Sequence, residues 1–178
     1  MDTSGSIKKP DYVKEKKFVN DLATYLGFRN TLYGVVLFSF VAEMPIKFTD
    51  HRTLESFKNA VTELSQAGSI TRIDRGLLMA QNKLYSPAGG HRPNANRVLF
   101  LLTDGTQSFS LDKVDNPLIS RSIRYSGTEF FVIGVGRGVK RDELVKIAGG
   151  EERVFIAEDF DKLDSKEFID QFNMSCSK

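Results

Sequence analysis

The sequence predicts an α/β domain built on a doubly wound, mostly parallel sheet flanked by helices, and three observations carry that expectation. Short apolar runs alternate with longer amphipathic stretches along the whole chain, the pattern of strands joined by helical crossovers. One run, Val98-Leu99-Phe100-Leu101-Leu102, is continuously apolar, as a strand covered on both faces must be. It ends on Thr103-Asp104-Gly105, and ligands of open parallel sheets gather beyond the carboxyl ends of the strands.

In chain order, residues 11–26 read as a helix with Val13, Phe18, Leu22 and Tyr25 inward, closed by Gly27. Residues 33–40 form a buried strand. Residues 44–48 contain Pro45, which cannot donate to a ladder and so belongs on an edge strand. Residues 53–65 and 73–85 are helical, and the Pro-, Gly- and Asn-rich loop 86–96 leads into the strand 98–103. A helix at 118–125, a strand at 129–135, a helix at 141–148 and a short strand at 154–156 follow. A closing helix at 163–172 places Phe168, Ile169 and Phe172 on one face.

Length and composition fit one globular domain: 178 residues, 40% hydrophobic, with a formal net charge of +2. Such a balance does not argue for nucleic acid, and no basic-aromatic stripe supports it. Lys8, Lys9, Lys14, Lys16 and Lys17 cluster near the first helix and read as a solvated face, or as an attraction for sulfated glycans or an acidic partner. No stretch is long and apolar enough to insert in a membrane. Gly134-Val135-Gly136-Arg137-Gly138 follows a strand but lacks the Gly-x-Gly-x-x-Gly spacing of a dinucleotide turn. There is no Gly-x-Ser-x-Gly elbow and no evident Ser/His/Asp set. His51 and His91 lie in unrelated polar loops and read as surface residues. An enzyme is not expected.

The chemistry-bearing segments are three. Asp2-Thr3-Ser4-Gly5-Ser6 packs a carboxylate and two hydroxyls into one short loop, a composition also common in ordinary turns. The polar loop opening at Gly68 offers a hydroxyl at Thr71 before an apolar helical stretch, and Asp104 ends the buried strand. Hard cations take oxygen ligands, and Mg2+ in particular wants near-octahedral oxygens at roughly 2.0–2.1 Å while keeping several waters.

In order and context these segments resemble the metal-ion-dependent adhesion site of the von Willebrand factor type A domain, a Rossmann-like fold, over nearly the whole chain. The resemblance implies Ser4, Ser6 and Thr71 as direct ligands, with Asp2 and Asp104 holding the metal mostly through water. An acidic group of a partner protein then completes the coordination sphere. If no carboxylate of the domain binds directly, the cation keeps a strong attraction for that incoming group. An oxygen-only, water-rich sphere favours Mg2+, admits Mn2+ or Ca2+, and gives no reason to expect zinc. Gln107, Ser108 and Phe109, with Arg72, are expected to form the rim that selects the partner, Phe109 being as readily core. Asp74 pairs with Arg72 or Arg75, or adds negative charge to the site.

Members of that family carry a central apolar strand immediately before the Asp-x-Ser-x-Ser loop, where this chain has Met1 alone. One domain over residues 1–178, N-terminally truncated and belonging to a longer protein, is therefore expected. Its strands at 33–40 and 98–103 would face an open slot. Each buried unpaired backbone group costs about 1–3 kcal/mol against a domain stability of about 5–15 kcal/mol, so the isolated chain is expected to be unstable. Asn173-Met174-Ser175 is a glycosylation acceptor pattern. Cys176, the only cysteine, is a free thiol or, as the resemblance implies for extracellular members, a disulfide partner for the missing segment. Together these imply a secreted adhesion module that binds an extracellular-matrix or cell-surface protein, of the type found in matrilins and collagen-associated proteins. The alternatives are an intracellular scaffold domain of the same fold, and a structural domain whose metal touches no ligand.

Overall fold

The computed structural model describes residues 1–163 and Phe168. Its elements run α1 (Lys9–Leu26), β1 (Val35–Phe38), β2 (Ala42–Ile46), α2 (Leu54–Thr62), α3 (Ile73–Met79), β3 (Arg97–Thr103), α4 (Asn116–Tyr125), β4 (Thr128–Val135), α5 (Arg141–Ala148) and β5 (Val154–Ala157). The long helix expected at 73–85 is α3 followed by a π-helical turn, Ala80–Leu84. Asn173 and Cys176, with Ile169 and Phe172 of the closing helix, lie outside the described residues.

Strands β3, β4 and β5 form a parallel sheet in that order, and β1 pairs antiparallel with β2. Alternation along β4 sorts side chains to two faces. Phe130 and Val132 join Leu101, Ile119, Ile123, Leu144 and Ile147 beneath α3, α4 and α5. Phe131, Ile133 and Val135 join Leu102, Phe18, Leu22, Phe155 and Phe168 beneath α1. Helices thus cover both faces, as the apolar run in β3 requires. A third cluster, Ala23, Val35, Leu37, Ile46, Phe57 and Val61, seats β1 and β2 against α1 and α2.

One expectation changes. The inward face of α1 keeps Phe18 and Leu22 but not Val13 and Tyr25, which are exposed; Tyr12, Glu15 and Ala23 are buried in their place. Those positions follow the helical stripe of i, i+3, i+4 steps, and the stripe includes a carboxylate that hydrophobicity alone would have placed outside. The sheet is two pieces, divided at the slot expected between the strands at 33–40 and 98–103. β1 and β3 do not pair with one another. Residues 1–3 lie between their carboxyl ends and tie them together. The Asp2 amide donates to the Leu102 carbonyl at 3.0 Å, the Thr3 amide to the Phe38 carbonyl at 2.8 Å, and the Met1 ammonium to the Val36 carbonyl at 2.9 Å. Beyond these contacts the two strands face one another across an apolar cavity of about 530 Å³, lined by Phe18, Leu22, Val36, Phe38, Leu77 and Leu102 among others.

Candidate functional site

The loop after Met1 and the end of β3 meet at the carboxyl edge of the strands, which places four oxygen-bearing side chains together. The Ser4 and Ser6 hydroxyls are 2.9 Å apart, and the Ser6 hydroxyl donates to Asp104 Oδ1 at 2.9 Å. Asp2 sits beneath, fully buried: its Oδ1 accepts from the Ser4 amide at 2.9 Å and its Oδ2 from the Thr103 hydroxyl at 2.6 Å. One carboxylate therefore fixes the loop from below, while the other stands half-buried beside the exposed Ser6.

The Thr71 loop is laid against this platform by its backbone. The Gly5 amide donates to the Ser69 carbonyl at 2.7 Å, and the Gly68 amide to the Thr3 carbonyl at 2.8 Å. Thr71 itself is buried; its amide donates to the Ser108 hydroxyl at 3.0 Å, and its carbonyl accepts from the Ser108 amide at 2.9 Å. The Thr71 hydroxyl makes no hydrogen bond to Ser4, Ser6 or Asp104. Gly138 closes the floor, since a Cβ there would stand 3.0 Å from the Asp104 carbonyl. The glycine turn after β4 thus buttresses Asp104.

The two carboxylates of the site are both shifted upward. Burial raises the Asp2 carboxyl above its ordinary value against the hydrogen bonds from Thr103 and Ser4. Burial also raises Asp104, with the Asp2 charge adding to it and the Ser6 hydroxyl opposing. The donors are hard oxygens, and among the described residues no group of three or more His, Cys, Asp or Glu is placed to hold a metal. Two carboxylates and two hydroxyls at hydrogen-bonding separation fit a hard divalent cation that keeps water ligands. His51 hydrogen-bonds Ser56 at 2.6 Å, well removed in sequence from these loops. His91, expected at the surface, is partly buried with its Nε2 enclosed and unpartnered among the described residues.

Of the residues expected at the rim, Arg72 is not there. It is 1% exposed and forms a two-pronged ion pair with Asp74, also 1% exposed, through Nε to Oδ1 at 2.9 Å and Nη2 to Oδ2 at 2.8 Å. Its remaining Nη1 reaches Asp112 at 2.9 Å and Ser110 at 3.2 Å. The choice left open for Asp74 is settled in favour of Arg72, because Arg75 goes to Asp112 and the Phe40 carbonyl. Gln107 turns inward, donating to Asp74 Oδ1 at 2.6 Å, and Ser108 is engaged with Thr71. Only Phe109 offers its side chain to solvent, 78% exposed beneath the Lys113 ammonium. Burial alone would raise the Asp74 carboxyl. Hydrogen bonds from Arg72, Gln107 and the Val114 amide, with the Arg72 charge, outweigh it and hold the group at about 2.

Sequence reasoning missed Glu15. Its carboxylate is fully buried with no hydrogen-bond partner for either oxygen among the described residues, the nearby Asp2 amide being committed to Leu102. Burial raises it well above its ordinary value; the Met1 ammonium opposes the shift, and Asp2 and Asp104 add to it. Nothing in the residue type signals this. Its place seven residues before Leu22 on the inward stripe is the one available hint.

The family model of the von Willebrand factor type A domain matches residues 1–171. The chain is 30% identical over 165 residues to the human collagen alpha-6(VI) chain, covering 92% of this chain and 7% of that one. It is 28% identical over 171 residues to mouse integrin alpha-M, covering 93% and 15%. Among solved structures, proximal thread matrix protein 1 from the mussel byssus superposes with a TM-score of 0.88 at 25% identity, over 97% of this chain and 45% of that one. The same protein with a zinc-occupied MIDAS motif gives 0.86 at 26% identity, over 97% and 46%. The chain spans only a small part of the curated relatives it matches. A match over residues 1–171, on a parallel sheet flanked by helices, means that the chain belongs to the von Willebrand factor type A domain family.

Proposed function

We propose that this domain is a non-enzymatic adhesion module that engages an acidic group of an extracellular-matrix or cell-surface protein through a divalent cation. The observation that carries the reading is the meeting of Ser4, Ser6 and Asp104 oxygens over the buried Asp2 at the carboxyl end of β3. Ser4, Ser6 and Thr71 would ligate the ion, with Asp2 and Asp104 acting through water. Bound there, the ion supplies an open coordination position for a carboxylate. Asp2 holds the serine loop in place through the Ser4 amide and the Thr103 hydroxyl. Ser108 and the Arg72–Asp74 pair hold Thr71 from behind. Mg2+ suits the oxygen donors and the water they leave room for. A zinc-occupied MIDAS motif in the mussel protein supports divalent-cation binding at such a site. Collagen and integrin relatives support a secreted or cell-surface setting.

The test is binding to a panel of matrix proteins with Mg2+ or with EDTA, and with Asp104→Ala. Binding that needs the ion and disappears in the variant supports the reading. Binding indifferent to both places recognition on another surface.

A further inference from the structure

Of the lysines near α1, Lys14 pairs with Asp11 and Asp161, Lys17 with Asp21, and Lys16 donates to the Thr62 and Leu64 carbonyls, while Lys8 and Lys9 are exposed. A second concentration of positive charge lies elsewhere. Arg121, Arg124 and Arg153 line one open pocket of about 530 Å³ with Tyr125, Thr128 and Glu129. Arg97 borders it, its Nη2 standing 3.6 Å from where a Cβ on Gly127 would be. Among the described residues Arg97, Arg121 and Arg124 have no carboxylate partner, whereas Arg72, Arg75 and Arg141 all do. Arg153 touches only Glu152, at 3.4 Å on the solvent side.

We infer that this pocket is a binding site for sulfated polysaccharide, separate from the cation site. Arg97 and Thr128 begin β3 and β4, whereas Asp104 follows the end of β3. Seven strand residues at about 3.3 Å each put the two sites roughly 20 Å apart, at opposite ends of the sheet. Arg124 is held for the purpose. Its Nη1 donates to the Ile147 carbonyl at 2.8 Å and the Ser120 hydroxyl at 3.2 Å, and its guanidinium lies flat on Gly149, where a Cβ would come within 2.5 Å of Cζ. Capping the end of α5 accounts for Arg124 alone. It does not account for Arg121 and Arg153 converging on it: burial first, and then the Arg153 and Arg121 charges, lower the Arg124 pKa, and a bound anion would relieve that repulsion.

The ligand class follows from the donors. Guanidinium forks match the paired oxygens of sulfate and carboxylate groups, and several of them along an open pocket suit a chain of repeating anions. Tyr125, 76% exposed, adds an aromatic face for a sugar ring, fixed by the Arg121 guanidinium 5.2 Å from its centroid and by a 3.0 Å bond to its hydroxyl. Glu129 is the acid lining the pocket, and Glu152 stands on its solvent side against Arg153. The exposed Tyr125 ring, on which a sugar can stack, favours a sulfated saccharide over an acidic peptide.

The test uses the whole chain and size-defined heparin oligosaccharides, by calorimetry in EDTA. Wild-type binding should be unaffected by EDTA and by Asp104→Ala, and should weaken at least tenfold in Arg121→Ala/Arg153→Ala, two side chains that support no buried contact. Lys8→Ala/Lys9→Ala should bind as wild type. The inference is overturned if heparin binding is absent, if it follows the lysine variant or EDTA, or if desulfated heparin or polyglutamate binds through the same arginines as tightly as heparin. Because the metal reading predicts the reverse sensitivity to EDTA, failure of either leaves the other standing.

Discussion

Replacing Asp74 by Ala should be among the most damaging single changes near the candidate site, although the residue touches neither serine. Asp74 receives four hydrogen bonds: two from Arg72, one from Gln107 at 2.6 Å and one from the Val114 amide at 3.1 Å. Removing it strands a guanidinium that is 1% exposed, leaving Asp112, which is 63% exposed, as its remaining ionic partner. Breaking a buried pair from one side costs about 3–5 kcal/mol. For a domain of this size each kcal/mol shifts Tm by about 2–4 °C, so the loss should be about 6–20 °C. The same network links the Thr71 loop to residues 107–114, so the Tm rise on adding Mg2+ should shrink as well. The control is Arg72→Met/Asp74→Asn, set beside Arg72→Met and Asp74→Asn singly; the double removes both charges and keeps one acceptor oxygen, for either Gln107 or the Val114 amide. It should recover most of the loss, since a neutral replacement of a buried pair is often close to neutral in stability. Thermal unfolding of wild type, both single variants and the double gives the coupling energy. A fall of less than about 2 °C for Asp74→Ala, or no coupling in the cycle, would refute the assignment of a buried, mutually dependent pair.

Other expectations follow from the same groups. In EDTA, Asp104→Asn should leave Tm unchanged or raise it, because it removes a charge disfavoured by burial and by the neighbouring Asp2, and it should abolish stabilisation by Mg2+ in the same melting assay. Asp2, Asp104 and Glu15 all have folded pKa values raised above their unfolded ones. Their contribution is therefore present at low pH and lost as pH rises through the folded values, so metal-free Tm should rise on acidification from neutrality towards about pH 4. Below that the Asp74 contribution, held at about 2 against an ordinary 3.8, is lost and Tm should fall; a pH series of melts checks both limbs. Glu15→Met should stabilise the domain at neutral pH by about 1–3 kcal/mol, the usual cost of a buried unpartnered polar group, and flatten the acid limb; destabilisation would mean that Glu15 has a partner. Phe109→Ser should leave Tm unchanged and weaken matrix-protein binding in a surface-plasmon assay, whereas a loss of Tm would return Phe109 to the core.

What was legible in the sequence was whatever repeats a period or sits at a strand end. The run in β3 declared a sheet covered on both faces, and Asp104 was placed by the single fact that it follows such a strand. The proximity of Asp2, Ser4 and Ser6 required only a tight loop. Long-range polar pairing was the part that could not be read. Arg72 and Phe109 lie on loops of similar composition, and only the carboxylates of Asp74 and Asp112 arriving from two directions decide that the cation is buried and the ring exposed. Glu15 was hidden for a related reason: helical periodicity places a position on the inward face before its residue type is consulted.

The two buried carboxylates illustrate why burial alone does not define a site. Asp2 and Glu15 are both fully enclosed, and burial raises both. Asp2 has a backbone amide and a hydroxyl on its oxygens and stands under Ser4, Ser6 and Asp104, so its charge can be matched by an ion that the same loop would hold. Glu15 has no such partners and lies on the inward face of α1, where Phe18 and Leu22 line the cavity between β1 and β3. The first carboxylate would gain from a divalent ion across one water; the second would feel it only at a distance. Saturating Mg2+ should therefore remove most of the pH dependence that Asp2 and Asp104 produce, while leaving the part that Glu15→Met removes. If Mg2+ abolished the whole of it, the two carboxylates would belong to one coupled site rather than two.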